Sequence, residues 1–278
     1  MKNLLTRSLT GAIYVAVIIG AIMLGSWWFW GLVMILGLLG VSEFNRITNK
    51  SFVSYATTLL DLIGTAILIT SVAMSVLVDS TDFGQGLIML FFYGIYVIAR
   101  FIAQLYMHDG NPLSHLANSI LGQVYIALPL AMLEALYSLA GKEIVLCMFI
   151  LIWLSDTGAF CVGSLLGKHR LFERISPKKS WEGFFGGFAF CIIAAIAFYY
   201  LLPNCFHSMN IVAMIGFGAL VCIFGTWGDL VESLIKRSLN VKDSGNLLPG
   251  HGGILDRIDS LLIVVPAVSL YLAALLLL

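Results

Sequence analysis

The sequence predicts an all-α polytopic integral membrane protein of about nine transmembrane helices, with the N-terminus cytoplasmic and the C-terminus outside. Three observations lead there. Of 278 residues, 60% are hydrophobic and 11% charged, against about 25% charged in an average soluble protein. Apolar runs recur at the length of roughly 20 residues that a helix needs to cross a hydrocarbon core about 30 Å thick. The polar residues are gathered into a few segments between those runs. Runs so long and so uniformly apolar suit helices, whose backbone satisfies itself in lipid, and not the alternating strands of a barrel.

In order, the predicted spans are 8–25, 27–42, 56–78, 86–107, 116–140, 143–167, 183–202, 210–231 and 255–277. The first two are short and joined only by Gly25-Ser26, so they read either as two crossings or as a re-entrant hairpin. Lys2 and Arg7 ahead of an apolar stretch also describe a secretory signal peptide, but no small-x-small cleavage site stands out near Leu24-Gly25-Ser26. A retained first helix is expected. The spans divide into an N-terminal transmembrane region, 1–142, and a C-terminal transmembrane catalytic region, 143–278, within one integrated membrane domain.

Orientation follows from the cations. With the N-terminus inside, the cytoplasmic segments carry Lys2, Arg7, Arg46, Lys50, Lys168, Arg170, Arg174, Lys178, Lys179, Lys236, Arg237, Lys242 and Arg257. Only Lys142 falls outside. Arg100 lies within the fourth span, where it either snorkels or pairs with Asp61 at similar depth. Fifteen Lys plus Arg balance fifteen Asp plus Glu, so no global basic field points to a nucleic-acid partner. Five cysteines, at 147, 161, 191, 205 and 222, form no C-x-x-C pair; they read as buried small hydrophobes, not as a zinc site or disulfide framework.

The outer loops are short and nearly featureless, so chemistry is expected on the cytoplasmic side, in segments 168–182 and 232–259. Asp156, flanked by Ser155 and Thr157 inside the sixth span, is a functional candidate because an ionisable group there costs about 2.5–3.5 kcal/mol to insert; the plainer alternative is a hydrogen bond to a neighbouring helix. In Asp229-Leu-Val-Glu232-Ser233-Leu-Ile-Lys236-Arg237, spacings of three and four set the polar residues along one broad helix face. Asp229 lies deeper than a solvated helix end requires. Beyond Lys242-Asp243-Ser-Gly245 and Pro249-Gly-His251-Gly252-Gly253, Asp256 and Asp259 share a face at the start of the last helix.

Carboxylates at the membrane surface beside dense cations make sense if they hold Mg²⁺ for a phosphate substrate, because Mg²⁺ binds through one or two carboxylates plus water and substrate oxygens. Asp229 and Asp256 are the candidate ligands. The glycines would let backbone N–H groups approach phosphate, although neither a P-loop nor a G-x-G-x-x-G fingerprint is present. His251 reads as a general base or, preferably, a phosphate-binding or loop-shaping residue. Segment Ser176-Pro177-Lys178-Lys179-Ser180-Trp181-Glu182-Gly183 combines a rigid turn, two cations, two hydroxyls and a helix start; by itself it also fits a positive-inside loop with an interfacial Trp. Gly183 and Gly187 read as close helix packing.

The run from Ser233 to Asp259, S-L-I-K-R-S-L-N-V-K-D-S-G-N-L-L-P-G-H-G-G-I-L-D-R-I-D, resembles the signature of the phosphatidate cytidylyltransferase family, the CDP-diacylglycerol synthases. Asp156-Thr-Gly-Ala-Phe, with Gly163 and Gly167, and Ser176-Pro-Lys-Lys-Ser-Trp-Glu-Gly resemble two further parts of it, across roughly residues 150–265. The resemblance implies that CTP and phosphatidate give CDP-diacylglycerol and pyrophosphate with Mg²⁺, in a two-metal arrangement that admits a monovalent cation. It also implies a homodimer and a multi-pass protein of the cell (inner) membrane. Asp229, Asp256, Lys236, Arg237 and Asp259 are then the expected catalytic residues. Ser176, Lys178, Lys179, Ser180, Ser233, Lys242, Asp243, His251, Gly252, Gly253, Arg257 and Asp156 are expected to bind substrate. A transporter would place its charges along a path near the midplane, and a CDP-alcohol phosphatidyltransferase would carry a D-G-x-x-A-R pattern that this chain lacks. Acyl preference, the second metal and the choice between phosphatidate and another lipid acceptor are not encoded in these motifs.

Overall fold

A computed structural model describes residues 2–49, 55–77, 83–107, 111–206, 209–245 and 252–277, and their side chains except in 2–8, 76–77 and 83–90. The chain is nearly all helical: α1 (Lys2–Leu24), α2 (Ser26–Thr48), α3 (Tyr55–Leu77), α4 (Phe83–Leu105), α5 (Pro112–Gly122), a π-helical turn (Gln123–Ala127), α6 (Leu128–Ala140), α7 (Lys142–Leu166), α8 (Trp181–Leu201), α9 (Ile211–Ser238) and α10 (Leu255–Leu277). Among the described residues, 7 helices are long and apolar enough to cross a membrane, with α5, the π turn and α6 counted as one. The two remaining predicted spans correspond to α1 and α4, whose described side chains include the apolar stretches Leu9–Leu24 and Phe91–Leu105.

The strictly all-α expectation needs one correction. Between α7 and α8, β1 (Arg170–Phe172) pairs antiparallel with β2 (Ser176–Ser180). Strands this short leave no readable alternation in the sequence, and Pro177 masks the second. Local chemistry sets the helix ends. Asn111 caps α5 through Leu113 N and Ser114 N with Pro112 in the first turn, Ser180 caps α8 through Gly183 N, and Asn210 caps α9 through Ala213 N. Gly25, at φ 114°, makes the single-residue link from α1 to α2, a left-handed conformation that a side chain would strain.

Two compact units emerge: Met1–Leu139 with Asp243–Arg257, and Ala140–Lys242 with Ile258–Leu278. In the first, Phe29 stacks on Tyr137 with ring centroids 4.3 Å apart, and Tyr137 donates to Ile22 O on α1. Its interior also holds a polar network around Asp61. Asn45 Nδ2, Tyr96 OH and Ser119 Oγ donate to the Asp61 carboxylate at 2.8, 3.0 and 2.7 Å, and Arg100 Nε lies 3.4 Å from it. Of the two readings of Arg100, pairing with Asp61 is the one observed. Gln123, at the start of the π turn, donates to Asp61 O and Thr65 Oγ1. The network thus joins α2, α3, α4, α5 and the π turn. Breaking such a buried pair costs about 3–5 kcal/mol, because the remaining charge is left without compensation.

In the second unit, small residues bring helices together. A Cβ on Gly187 would lie 2.6 Å from Ser155 O, and one on Gly183 would lie 2.9 Å from Ala159 O, so both glycines serve the α7–α8 contact as their sequence suggested. Ser155 Oγ reaches Cys222 Sγ at 3.3 Å, and Cys191 Sγ reaches Leu151 O at 3.3 Å. All five cysteines are free; 147, 191 and 222 are buried, whereas 161 and 205 are exposed, contrary to the uniform burial expected.

Candidate active site

In the second unit the hairpin, α9 and α10 assemble the first cluster. Lys178 and Lys179 are adjacent on β2, so their side chains leave opposite faces: Lys178 is exposed, while Lys179 Nζ reaches Asp229 Oδ2 on α9 at 2.7 Å and Thr226 O at 3.4 Å. Ser233, one turn beyond Asp229, donates to Asp229 Oδ1 at 3.2 Å. The next residue of β2 is Ser180, a buried helix cap. The hydroxyl expected to meet substrate therefore starts α8, and by doing so fixes the end of the strand that carries Lys179.

Asp259 enters this cluster because α9 and α10 touch at Gly228, where a Cβ would lie 2.7 Å from Asp259 O and 2.9 Å from Ser260 Cα. The charges of Asp229, Asp156 and Lys179 all act on Asp259, whose Oδ1 accepts from Ser260 N at 2.6 Å. Asp156 itself is exposed on α7. Of its neighbours, Ser155 Oγ meets Cys222 Sγ, and Thr157 Oγ1 donates to its own helix at Trp153 O.

Other cations are placed differently. Lys236 Nζ lies 2.5 Å from the carboxylate of Glu232, one turn earlier and 1% exposed. Arg237 Nε donates to Ile175 O at 3.5 Å, Ser176 is half-buried at the start of β2, and Lys242 is exposed. Glu182 ties the hairpin to α8 by accepting from Lys168 N and His169 N and meeting His169 Nδ1 at 2.6 Å.

A second cluster lies in the first unit and draws on the described residues of the signature run between Asp243 and Arg257. Asp256 Oδ2 accepts from Ser244 N, Ser244 Oγ and Gly253 N at 3.0, 3.0 and 2.8 Å. Gly252, at φ 87°, lies so close that a Cβ would come within 2.6 Å of the same oxygen. The Gly253 N–H, counted in the sequence as a phosphate donor, is thus committed to Asp256. Asp243 and Arg257 are exposed, and Arg257 O accepts from Tyr14 OH at 3.0 Å. His251 lies outside the described residues.

One residue of this cluster escaped the sequence reading. Glu43 is 8% exposed and accepts from Ile254 N, Leu255 N and Ser244 Oγ at 3.0, 3.0 and 3.1 Å. The apolar run in the sequence stops at residue 42, which suggests a membrane exit; instead α2 continues to Thr48 and buries Glu43, Phe44 and Asn45. The signal available was the absence of Gly or Pro after 42, which leaves nothing to end the helix.

Among the described residues no three or more His, Cys, Asp and Glu side chains form a metal-holding group. That excludes a protein-only cage from these residues, but Mg²⁺ needs only one or two carboxylates when substrate and water complete its octahedron. Half-exposed Asp229, with Asp259 beside it and Lys179 offsetting part of their charge, fits that requirement.

The cytidylyltransferase family model matches residues 5–275. The chain belongs to the cytidylyltransferase family. Phosphatidate cytidylyltransferases of Staphylococcus aureus (strain COL), Staphylococcus haemolyticus (strain JCSC1435) and Staphylococcus epidermidis are each 45% identical to it over 132 residues, 48% of this chain and 50% of theirs. The match therefore spans about half the length of these curated relatives. Within this family member, Lys179, Ser233, Ser244 and Asp256 fall in the segments whose sequence carried the resemblance, and Asp229 lies one helical turn before the longest of them.

Proposed function

We propose that this cytidylyltransferase transfers the cytidylyl group of CTP to phosphatidate, giving CDP-diacylglycerol and pyrophosphate for phospholipid synthesis. The observation that carries the reading is the gathering of Lys179, Asp229, Ser233 and Asp259 where β2, α9 and α10 meet, in a chain of this family. Both substrates are anionic and one stays in the bilayer, so cations, carboxylates and lipid access are needed together. The proposed setting is the cytosolic face of the cell (inner) membrane, with the N-terminus inside, nine crossings and a homodimeric assembly.

In this reading a phosphatidate phosphate oxygen attacks the α-phosphorus of CTP in line, the bond to the β-phosphate breaks, and pyrophosphate departs. The attacking oxygen is already ionised, so no side chain has to remove a proton. Asp229 and Asp256 are the proposed Mg²⁺ ligands, Asp259 a further carboxylate beside Asp229, and a monovalent cation an additional partner. When bound, Mg²⁺ supplies charge neutralisation for the transferring group and the leaving pyrophosphate. Lys178, Arg237, Lys242 and Arg257 offer exposed charge to phosphates, and Lys179 balances Asp229. Lys236, Ser176, Asp243, Gly252, Gly253, His251 and Asp156 remain proposed substrate contacts, and Ser180 acts through the β2–α8 junction.

The test is conversion of phosphatidate by purified protein in detergent micelles supplied with CTP, with and without Mg²⁺, beside Asp256→Asn. Metal-dependent product from the wild type and its loss in the variant are expected. Full turnover by folded Asp256→Asn at saturating Mg²⁺ would remove its ligand role. Product with another lipid phosphate, and none with phosphatidate, would reassign the acceptor.

A further inference from the structure

Resting on the reading above, we propose that Glu43 is a positioning residue for cytidylyl transfer: from α2 it holds the signature segment that presents Asp256. Both carboxylate oxygens are used. Oε1 accepts from Ile254 N, and Oε2 accepts from Leu255 N and Ser244 Oγ. Ile254 N and Leu255 N belong to the amides at the start of α10 that have no helical partner, and a negative charge is favoured there by the helix dipole. A tertiary carboxylate thus does what a local cap does elsewhere.

The fit around Glu43 is close on every side. A Cβ on Gly245 would lie 2.5 Å from Glu43 Oε1 and 3.2 Å from Arg46 Nη2, and a Cβ on Gly253 would collide with Glu43 Oε2 and Ser244 Oγ. The bare faces of these two glycines receive the Glu43 carboxylate. Arg46, one turn on from Glu43, adds a 3.5 Å contact to Ser244 O. Asn45, between them, donates to Asp61 and fastens this end of α2 to the buried network. Ser244 Oγ sits 3.1 Å from Glu43 Oε2 and 3.0 Å from Asp256 Oδ2, so its single proton is shared between the buried carboxylate and the proposed ligand.

Glu43→Gln tests this in the full-length protein. It keeps shape and size but puts an NH₂ where an oxygen faced a backbone N–H, so donor meets donor. Three readouts separate the possibilities. In metal-free protein, hydrogen–deuterium exchange at Ile254 and Leu255 should accelerate at least tenfold. The half-saturating Mg²⁺ concentration should rise at least threefold, and kcat/KM for CTP should fall at least tenfold. Thermal unfolding should stay close to wild type, with Glu43→Asp, which keeps the charge, as a second variant of intermediate activity. Glu134→Gln, at a buried carboxylate on α6, serves as the control and should leave Mg²⁺ dependence and exchange at 254–255 unchanged. Unaltered exchange in Glu43→Gln would overturn the clamp. Faster exchange with wild-type Mg²⁺ and CTP dependence would overturn the positioning role. Absence of activity in the wild type would overturn the functional reading and leave the exchange result to judge the clamp alone.

Discussion

At the residue scale, Asp229 and Lys179 pair at 2.7 Å, yet they are not equivalent. Replacing Lys179 leaves Asp229 with Ser233 and with its place beside Asp259, whereas replacing Asp229 removes the group that the proposed chemistry requires. Asp229→Asn should therefore lower kcat/KM for CTP by about 10²- to 10³-fold, the scale of losing one electrostatic contact to a transition state. Lys179→Ala should cost about tenfold and act mainly through KM. Steady-state kinetics on both variants checks the ordering, and equal losses would assign the function to the pair, not to the carboxylate. Asp229, Lys179 and Ser233 were legible in the sequence because each interrupts or borders an apolar run. Glu43 was not, since a carboxylate at the end of such a run looks solvated until the tertiary structure buries it against three donors.

At the element scale, the approach of α9 to the start of α10 depends on a missing side chain. Gly228 faces backbone atoms of Asp259 and Ser260 that cannot rotate away, while Gly225, one turn earlier, would place a Cβ no nearer than 3.6 Å to Val264 Cγ2. Gly228→Ala should destabilise the protein by about 1–3 kcal/mol, as overpacking does, and should also impair turnover by displacing Asp259. Gly225→Ala should be neutral within about 0.5 kcal/mol. Thermal unfolding in one detergent, with the two variants side by side, reads the difference. The α7–α8 glycines were readable because their spacing sets a smooth face, but nothing in a lone glycine names its partner helix. The hairpin was hidden for another reason: strands of three and five residues carry too few side chains for a period of two to emerge.

At the scale of the whole molecule, hydropathy dictated the succession of long helices, since every backbone polar group must be satisfied inside a bilayer. It did not dictate that Asp243–Arg257, lying between α9 and the body of α10 in sequence, belongs to the unit built from α1–α6. That association arises from Glu43, Arg46 and Tyr14, side-chain contacts separated by some two hundred residues of chain. The proposed orientation rests on the cation distribution and can be measured without adding a cysteine to the outer face. Cys205, in the connection between α8 and α9, is exposed, whereas Cys147, Cys191 and Cys222 are buried. In the proposed topology Cys205 lies outside, so a membrane-impermeant maleimide added to intact cells should label it, and Cys205→Ser should abolish that labelling. Lys178→Cys in the Cys205→Ser background should remain unlabelled until the membrane is opened. Cys161, exposed but within the apolar helix α7, should resist in both cases, because a charged, membrane-impermeant reagent does not enter the hydrocarbon region. The reverse pattern, with residue 178 labelled from outside and Cys205 protected, would turn the protein over in the membrane and put the Lys179–Asp229 cluster on the face away from cytosolic CTP, which would defeat the functional reading along with the topology.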